Sequence, residues 1–394
     1  MISIGELVLK KIFLSSFFFQ SIVSLILIFC APLRADFSPE IVAQLDALFE
    51  AASAEIGGII AGVWVGDQDT WVRTKGPANI LANRPLLYAD KFRIGSVTKT
   101  FTTTVLLQLV EEGLITLDES IERFNLGVPN ANNITIRMLC DHTSGLYNYP
   151  DDPDVALAVF LTPWREWTQE ELVQAAVSHP PLFPPGTQVK YNNTNFVLQG
   201  MIIEQLLGIP VGRAIEARVI LPLRLENTVY PRDPYLYGEF SRGYFFAPPD
   251  ILDFTAINPT SSFGAGALVS NLRDLKTWGK ALALGLLLSP EMQQQRLVRV
   301  APPAAPGPFQ GPFLRFGLGI EMLGDFLLDN NNVFLGHEGD IISYNISVNY
   351  LISKDATFVV LINKNPTDQF PSDNATKLFM SLAKVLFPAN CPWP

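Results

Sequence analysis

The sequence predicts an α+β fold: an antiparallel sheet flanked by N- and C-terminal helices, with a helical lobe inserted at roughly residues 100–260. Three observations carry this expectation. Strand-like runs lie near both ends of the chain, an amphipathic segment lies outside each pair of runs, and the sequence between them is mainly helical in pattern.

The elements follow in order. Ser38 and Pro39 suit the cap and first turn of a helix, and Ile41, Val42, Leu45, Leu48, Phe49 and Ala52 recur on one face after them. Ile59–Val65 and Trp71–Thr74 are strand-like, and Gly66-Asp67-Gln68-Asp69 between them predicts a hairpin turn. At the far end, Ile341–Leu351 and Thr357–Ile362 predict strands around Ser353-Lys354-Asp355, followed by an amphipathic segment from Asn374 to Phe387. The Pro-rich stretch Ala301–Pro312 predicts a surface loop or linker.

Bulk properties remove several function classes. The 394-residue chain is long enough for a large core, and its formal net charge of -10 opposes nucleic-acid phosphates. There are three histidines and neither a Cys-x-x-Cys nor a His-Glu-x-x-His spacing, so no metal and no cofactor is expected.

Lys10 and Lys11 flank an apolar run from Ile12 to Phe29, and small residues precede Asp36. Residues 1–35 therefore predict a signal peptide, with a membrane anchor as the alternative, and residues 36–394 predict the working domain, secreted or held in the periplasm or cell envelope. Without the leader two cysteines remain, Cys140 and Cys391, for which a disulfide is possible but not required. Asn133, Asn345 and Asn374 head Asn-x-Ser/Thr triplets that a glycosylating host could modify.

Three segments carry chemistry. Phe92-Arg93-Ile94-Gly95 leads into Ser96-Val97-Thr98-Lys99, with helical spacing from Phe101 to Val110, so Ser96 sits at a helix N-terminus and Lys99 one turn later on the same face. The dipole there favours the neutral amine of Lys99, making Ser96 a candidate activated nucleophile. Tyr191-Asn192-Asn193 precedes a helical run from Phe196 to Leu207. Tyr191 could shuttle a proton if a nearby cation lowered its pKa, and Asn193 could bind an acyl carbonyl or orient the lysine.

The third segment, Gly336-His337-Glu338-Gly339, is expected immediately before the strand near Ile341. His337 would face the nucleophile, Gly339 would admit substrate to the strand edge, and the N–H groups of Asp340 and Ser96 would bind an oxyanion.

In this order and context these segments resemble the serine hydrolases of the class C β-lactamase and D-alanyl-D-alanine carboxypeptidase family. The resemblance extends through FRIGSVTKTFT, GLITLDESIERF, ITIRMLCDHTSGL, FPPGTQVKYNNTNFVLQG, GAGALVSNLRDLKTWGKAL, FGLGI and GHEGDI, which span most of the mature chain. It implies a β-lactamase/transpeptidase-like fold. It also implies acylation of Ser96 assisted by Lys99, Tyr191 as base and leaving-group acid, Asn193 at the acyl side chain, and His337 where class C β-lactamases usually carry lysine. His142 and Ser144, in Asp141–Gly145, are expected to be structural.

The implied activity is that of a D-alanyl-D-alanine carboxypeptidase-like peptidase, with a peptidoglycan stem peptide as substrate. An esterase or a D-aminopeptidase-like amidase is the alternative, and a catalytically inactive peptidoglycan-binding or scaffold protein is the reading of another class. Two departures bear on substrate. Glu338 replaces the Thr or Ser that carboxypeptidases of this family use near a terminal carboxylate, and Asp340–Tyr344 lacks the Pro-Gly often found there.

Overall fold

The computed structural model describes residues 37–66, 69–247, 249–298, 300, 313–366 and 374–393, all in one compact unit, Phe37–Pro394. The expected leader and the Ala301–Pro312 loop lie outside the described residues. No described helix is long and apolar enough to cross a membrane.

The centre is a seven-stranded antiparallel sheet. Its strands are β1 (Ile59–Val65), β2 (Asp69–Lys75), β5 (Leu314–Gly317), β6 (Ile320–Leu323), β7 (Phe334–Ile341), β8 (Tyr344–Leu351) and β9 (Ala356–Ile362). They run β2-β1-β9-β8-β7-β6-β5 across the sheet, and Ile59 pairs with Ile362. A smaller sheet holds β3 (Tyr244–Ala247), β4 (Asp250–Asp253) and β10 (Lys364–Pro366).

Both faces of the large sheet are covered, so its central strands are buried throughout, as along Ala356–Ile362. Ile59, Ala61 and Val63 point into a cluster with Leu45 and Phe49 of α1 (Pro39–Ile56) and Leu378 and Phe379 of α6 (Asn374–Leu386). Ile60 points into the opposite cluster, with Leu275 and Trp278 of α5 (Leu272–Leu284). The remaining helices named below are α2 (Thr98–Glu111), α3 (Pro153–Leu161) and α4 (Thr194–Leu207). The α+β class expected from the sequence is what the chain adopts.

Other expectations change. The Gly336–Gly339 segment lies inside β7, not before a strand, because strand formation here comes from pairing with β8, His337 opposite Val348 and Gly339 opposite Ile346. That pairing leaves no alternating apolar pattern in Gly-His-Glu-Gly. The turn falls instead at Ile342-Ser343, where Ile342 takes φ +29°, a strained value for a β-branched residue. Cys140 and Cys391 are free thiols buried in opposite clusters. Asn345 is buried on β8, where its side-chain oxygen accepts the N–H of Ala375, so the folded chain does not offer it for glycosylation.

Candidate active site

Two backbones meet where the site is built. Gly95 has φ +49°, and a Cβ there would lie 2.9 Å from the nitrogen of Asp340. A Cβ on Gly339 would collide with the carbonyl of Ile94. The turn carrying Ser96, Gly95–Val97, thus lies directly against β7 and runs into α2.

The edge of β7 is available because Gly336 is its last residue in descending toward β6 pairing, opposite Glu321 at that ladder's end. Along an antiparallel strand alternate residues direct N–H groups to the same side, so Gly336, Glu338 and Asp340 share one. The Glu338 N–H donates to the Glu321 carboxyl at 2.9 Å. The Asp340 N–H comes next on that side, toward Gly95 and Ser96.

Lys99 is fully buried, and its Nζ lies 2.7 Å from Ser96 Oγ, 2.8 Å from Asn193 Oδ1 and 2.9 Å from the Ala265 carbonyl. Two of these partners can only accept. A neutral amine gives one N–H to each and turns its lone pair toward the third, the Ser96 hydroxyl. Burial pulls the lysine pKa well below its ordinary range, and Glu321 opposes this. The α2 helix that fixes Lys99 is held by α5: Trp278 stacks on Phe101 at 4.0 Å and donates from Nε1 to Thr100 Oγ1 at 2.8 Å.

Tyr191 precedes α4, with the Lys99 Nζ 4.9 Å from its ring centre. Its phenol is pushed well above the ordinary tyrosine range by burial first and then by Glu321, with a Ser96 hydrogen bond opposing. The condition set from the sequence, a phenol acidified by a neighbouring cation, is therefore not met: burial and then the acid Glu321 outweigh the Ser96 hydrogen bond. Asn193 orients Lys99, while Asn148 Oδ1 accepts both its backbone N–H at 2.8 Å and its Nδ2 at 3.1 Å. His142 stacks on Tyr191 at 4.7 Å and accepts the Asn192 N–H at Nδ1, and Ser144 donates to Asn195 at 2.6 Å. Both support the Tyr191 segment.

His337 is buried with its ring centre 6.2 Å from that of Tyr191 and Nε2 3.7 Å from Glu321 Oε1. Its Nδ1 meets the Glu338 carbonyl, which can only accept, so Nδ1 carries the proton and Nε2 the lone pair. Burial, and then Lys99, lower its pKa to about 3, with the Glu338 carbonyl opposing. The expectation that His337 faces the nucleophile is therefore modified: its partners are Glu321 and Glu338. The Glu321 carboxyl is held well above the usual range by burial first and by the Glu338 charge second.

Ser96, Tyr191 and Asn193 open on a cavity of about 440 Å³. Glu321, Glu338 and Asp340 form part of its wall, and no lysine or arginine is among the described residues lining it. Among the described residues no cluster of three or more His, Cys, Asp or Glu could hold a metal ion. Sequence reasoning missed Asn148 and Glu321. The only trace of Glu321 was one acid within an otherwise apolar run, Leu318–Leu323.

An antiparallel sheet closed from both chain ends, with a serine and a tyrosine on one cavity and a buried lysine one helical turn after the serine in contact with it, defines a serine hydrolase of penicillin-binding-protein-like architecture. The chain belongs to the beta-lactamase family, whose profile matches residues 45–379. It is similar to a D-stereospecific amidohydrolase from Streptomyces sp., with 30% identity and a TM-score of 0.76, covering 88% of this chain and 99% of that one. It is also similar to a penicillin-binding protein of Bacillus subtilis (strain 168), 28% identical over 210 residues, 50% of this chain and 45% of that protein. An esterase of Burkholderia gladioli is 29% identical over 201 residues, 47% of this chain and 50% of the esterase. The chain spans about half the length of these curated relatives.

Proposed function

We propose that this enzyme forms an acyl-enzyme on Ser96 and hydrolyses esters or amides that carry no carboxylate beside the scissile bond. The contact set of Lys99 carries the proposal: with two obligate acceptors taking its N–H groups, the neutral amine that burial favours has its lone pair available to the Ser96 hydroxyl as a base. The substrate carbonyl oxygen takes the N–H groups of Ser96 and Asp340, and Ser96 Oγ attacks its carbon while the hydroxyl proton passes to Lys99. Tyr191, protonated at rest, delivers a proton to the departing nitrogen or oxygen and is resupplied from Lys99. Water then repeats the sequence on the acyl-enzyme and returns the proton. Asn193 holds the lysine, and Gly339 keeps the strand edge close to the turn.

The acids lining the cavity, without a cation among the described lining residues, favour an esterase or amidase over the carboxypeptidase reading. The similar amidohydrolase and esterase support the same choice. An inactive binding protein would have no need of the Ser96–Lys99 contact. The test is intact-mass analysis after fluorophosphonate treatment, with peptide mapping: one adduct on Ser96 is expected, and labelling that persists in Ser96→Ala overturns the assignment. We also propose that residues 36–394 act as one hydrolase domain, released outside the cytoplasm by cleavage of residues 1–35. Sequencing of the mature N-terminus, expected near Asp36, tests this.

A further inference from the structure

Helix α3 departs from the usual pattern of a surface helix. Its sequence, PDVALAVFL, has one charged residue, Asp154 in the first turn. Val155 is buried, yet Leu157, Phe160 and Leu161 are 56%, 37% and 59% exposed, and Trp164 just beyond is 60% exposed. A helix on a water-facing surface normally turns polar residues outward, so an outward apolar face calls for an apolar occupant.

This face is continuous with the reaction centre. Val155, Val159 and Phe160 line the same cavity as Ser96, together with Phe245 and Ile257. Phe160 packs edge-on against Phe245 at 5.5 Å and lies 5.1 Å from Phe254. On the β3–β4 hairpin Leu252 stands opposite Phe245 in register, so their side chains share one face, and Leu252 is 37% exposed. Leu157, one turn before Phe160, extends the other wall outward. The acids Glu321, Glu338 and Asp340 lie in the wall contributed by β6 and β7.

Resting on the acyl-enzyme reading above, we infer that the apolar cavity wall where α3 meets the β3–β4 hairpin forms one side of a channel that binds an alkyl or aryl-alkyl chain of the substrate, making this a hydrolase of lipophilic esters or amides. The chain lies along the wall that Phe160 and Phe245 form together and leaves the cavity over Leu157 and Leu252, with the scissile carbonyl at Ser96. Each buried methylene then increases kcat/KM, roughly threefold per carbon until the channel is filled.

The experiment measures kcat/KM for two series: esters of p-nitrophenol with acetate, butyrate and hexanoate, and acetates of ethanol, butanol and hexanol. One series locates the chain on the acyl side, the other on the leaving-group side. In at least one the hexyl member should exceed the two-carbon member by tenfold or more. In the double variant Phe160→Ser, Leu252→Ser that ratio should fall toward one, and being a ratio it is insensitive to the fraction of active enzyme. Flat series, or a preference surviving in the double variant, would overturn the inference. So would chain-independent rates accompanied by cosedimentation with phosphatidylcholine vesicles, which would make the face a lipid-binding surface. Should Ser96 prove unreactive, the acyl-enzyme reading fails alone, because binding to Ser96→Ala is measured separately: in at least one of the pairs hexyl against ethyl acetate and p-nitrophenyl hexanoate against p-nitrophenyl acetate the longer ester should bind at least tenfold more tightly, and equal affinities within both pairs would reject the channel.

Discussion

Glu321 accepts the backbone N–H of Glu338 at 2.9 Å, placing a buried carboxyl at the point where the β6–β7 ladder ends. It is surrounded by the charge of Glu338, by Lys99 and by His337. Its pKa is raised in the fold, so its contribution to stability is complete below the unfolded carboxyl value of about 4.3 and is lost as pH rises toward the folded value. Glu321→Gln keeps the oxygen that accepts the N–H and cannot ionise. Its unfolding midpoint minus that of the wild type should therefore grow as pH rises above about 4.5. A pH-independent difference would show that Glu321 ionises freely in the fold.

Lys99→Ala and Tyr191→Phe should each slow acylation at least about a hundredfold, the scale of lost general acid-base help. In the wild type kcat/KM should fall as acid protonates Lys99, with this limb well below the ordinary lysine range because burial disfavours the cation. A limb at the ordinary lysine value, or near-normal turnover in Tyr191→Phe, would contradict the assigned roles. Stopped-flow acylation across pH provides both readings.

Glu338 adds negative charge to a wall that already includes Glu321 and Asp340. Glu338→Thr should raise kcat/KM for a D-Ala carboxylate-terminated peptide relative to its methyl ester by roughly tenfold, about 1.4 kcal/mol of relieved repulsion. An unchanged ratio would mean that Glu338 does not read substrate charge.

Ile342 pays a conformational cost at φ +29° that glycine would not. Ile342→Gly should stabilise the fold by on the order of 1 kcal/mol while removing part of the cavity wall, giving a higher denaturation midpoint together with altered substrate preference. A lower midpoint would show that the packing of the isoleucine outweighs its strain.

The Ser96–Lys99 relation was legible because helical spacing alone places residues three apart on one face. Tyr191 and Asn193 were singled out by the family resemblance, since a tyrosine and an asparagine in a turn before a helix say little by themselves, and the terminal strands were legible from their apolar runs. β7 was misjudged because its residues are chosen for close approach to the Ser96 turn, which replaces strand-forming residues with glycines. Glu321 and Asn148 escaped because their roles depend on partners at positions 338 and 193, distant in the chain. The direction of the Tyr191 shift was also out of reach, since it depends on which acids fold around the phenol.

The pairing of Ile59 with Ile362 has a consequence for the order in which the molecule is made. During synthesis β1 emerges some three hundred residues before the strand that completes its central ladder, so a nascent chain can form at most the β1–β2 hairpin of the large sheet at that end. Such distant pairings slow folding and leave a strand edge exposed in the meantime. The Ser96 turn waits as well, because the Asp340 backbone against which Gly95 packs arrives equally late. Assembly of the site is thus tied to completion of the chain, and a ribosome-bound or truncated product ending before β7 would carry Ser96 and Lys99 without the Asp340 backbone beside them.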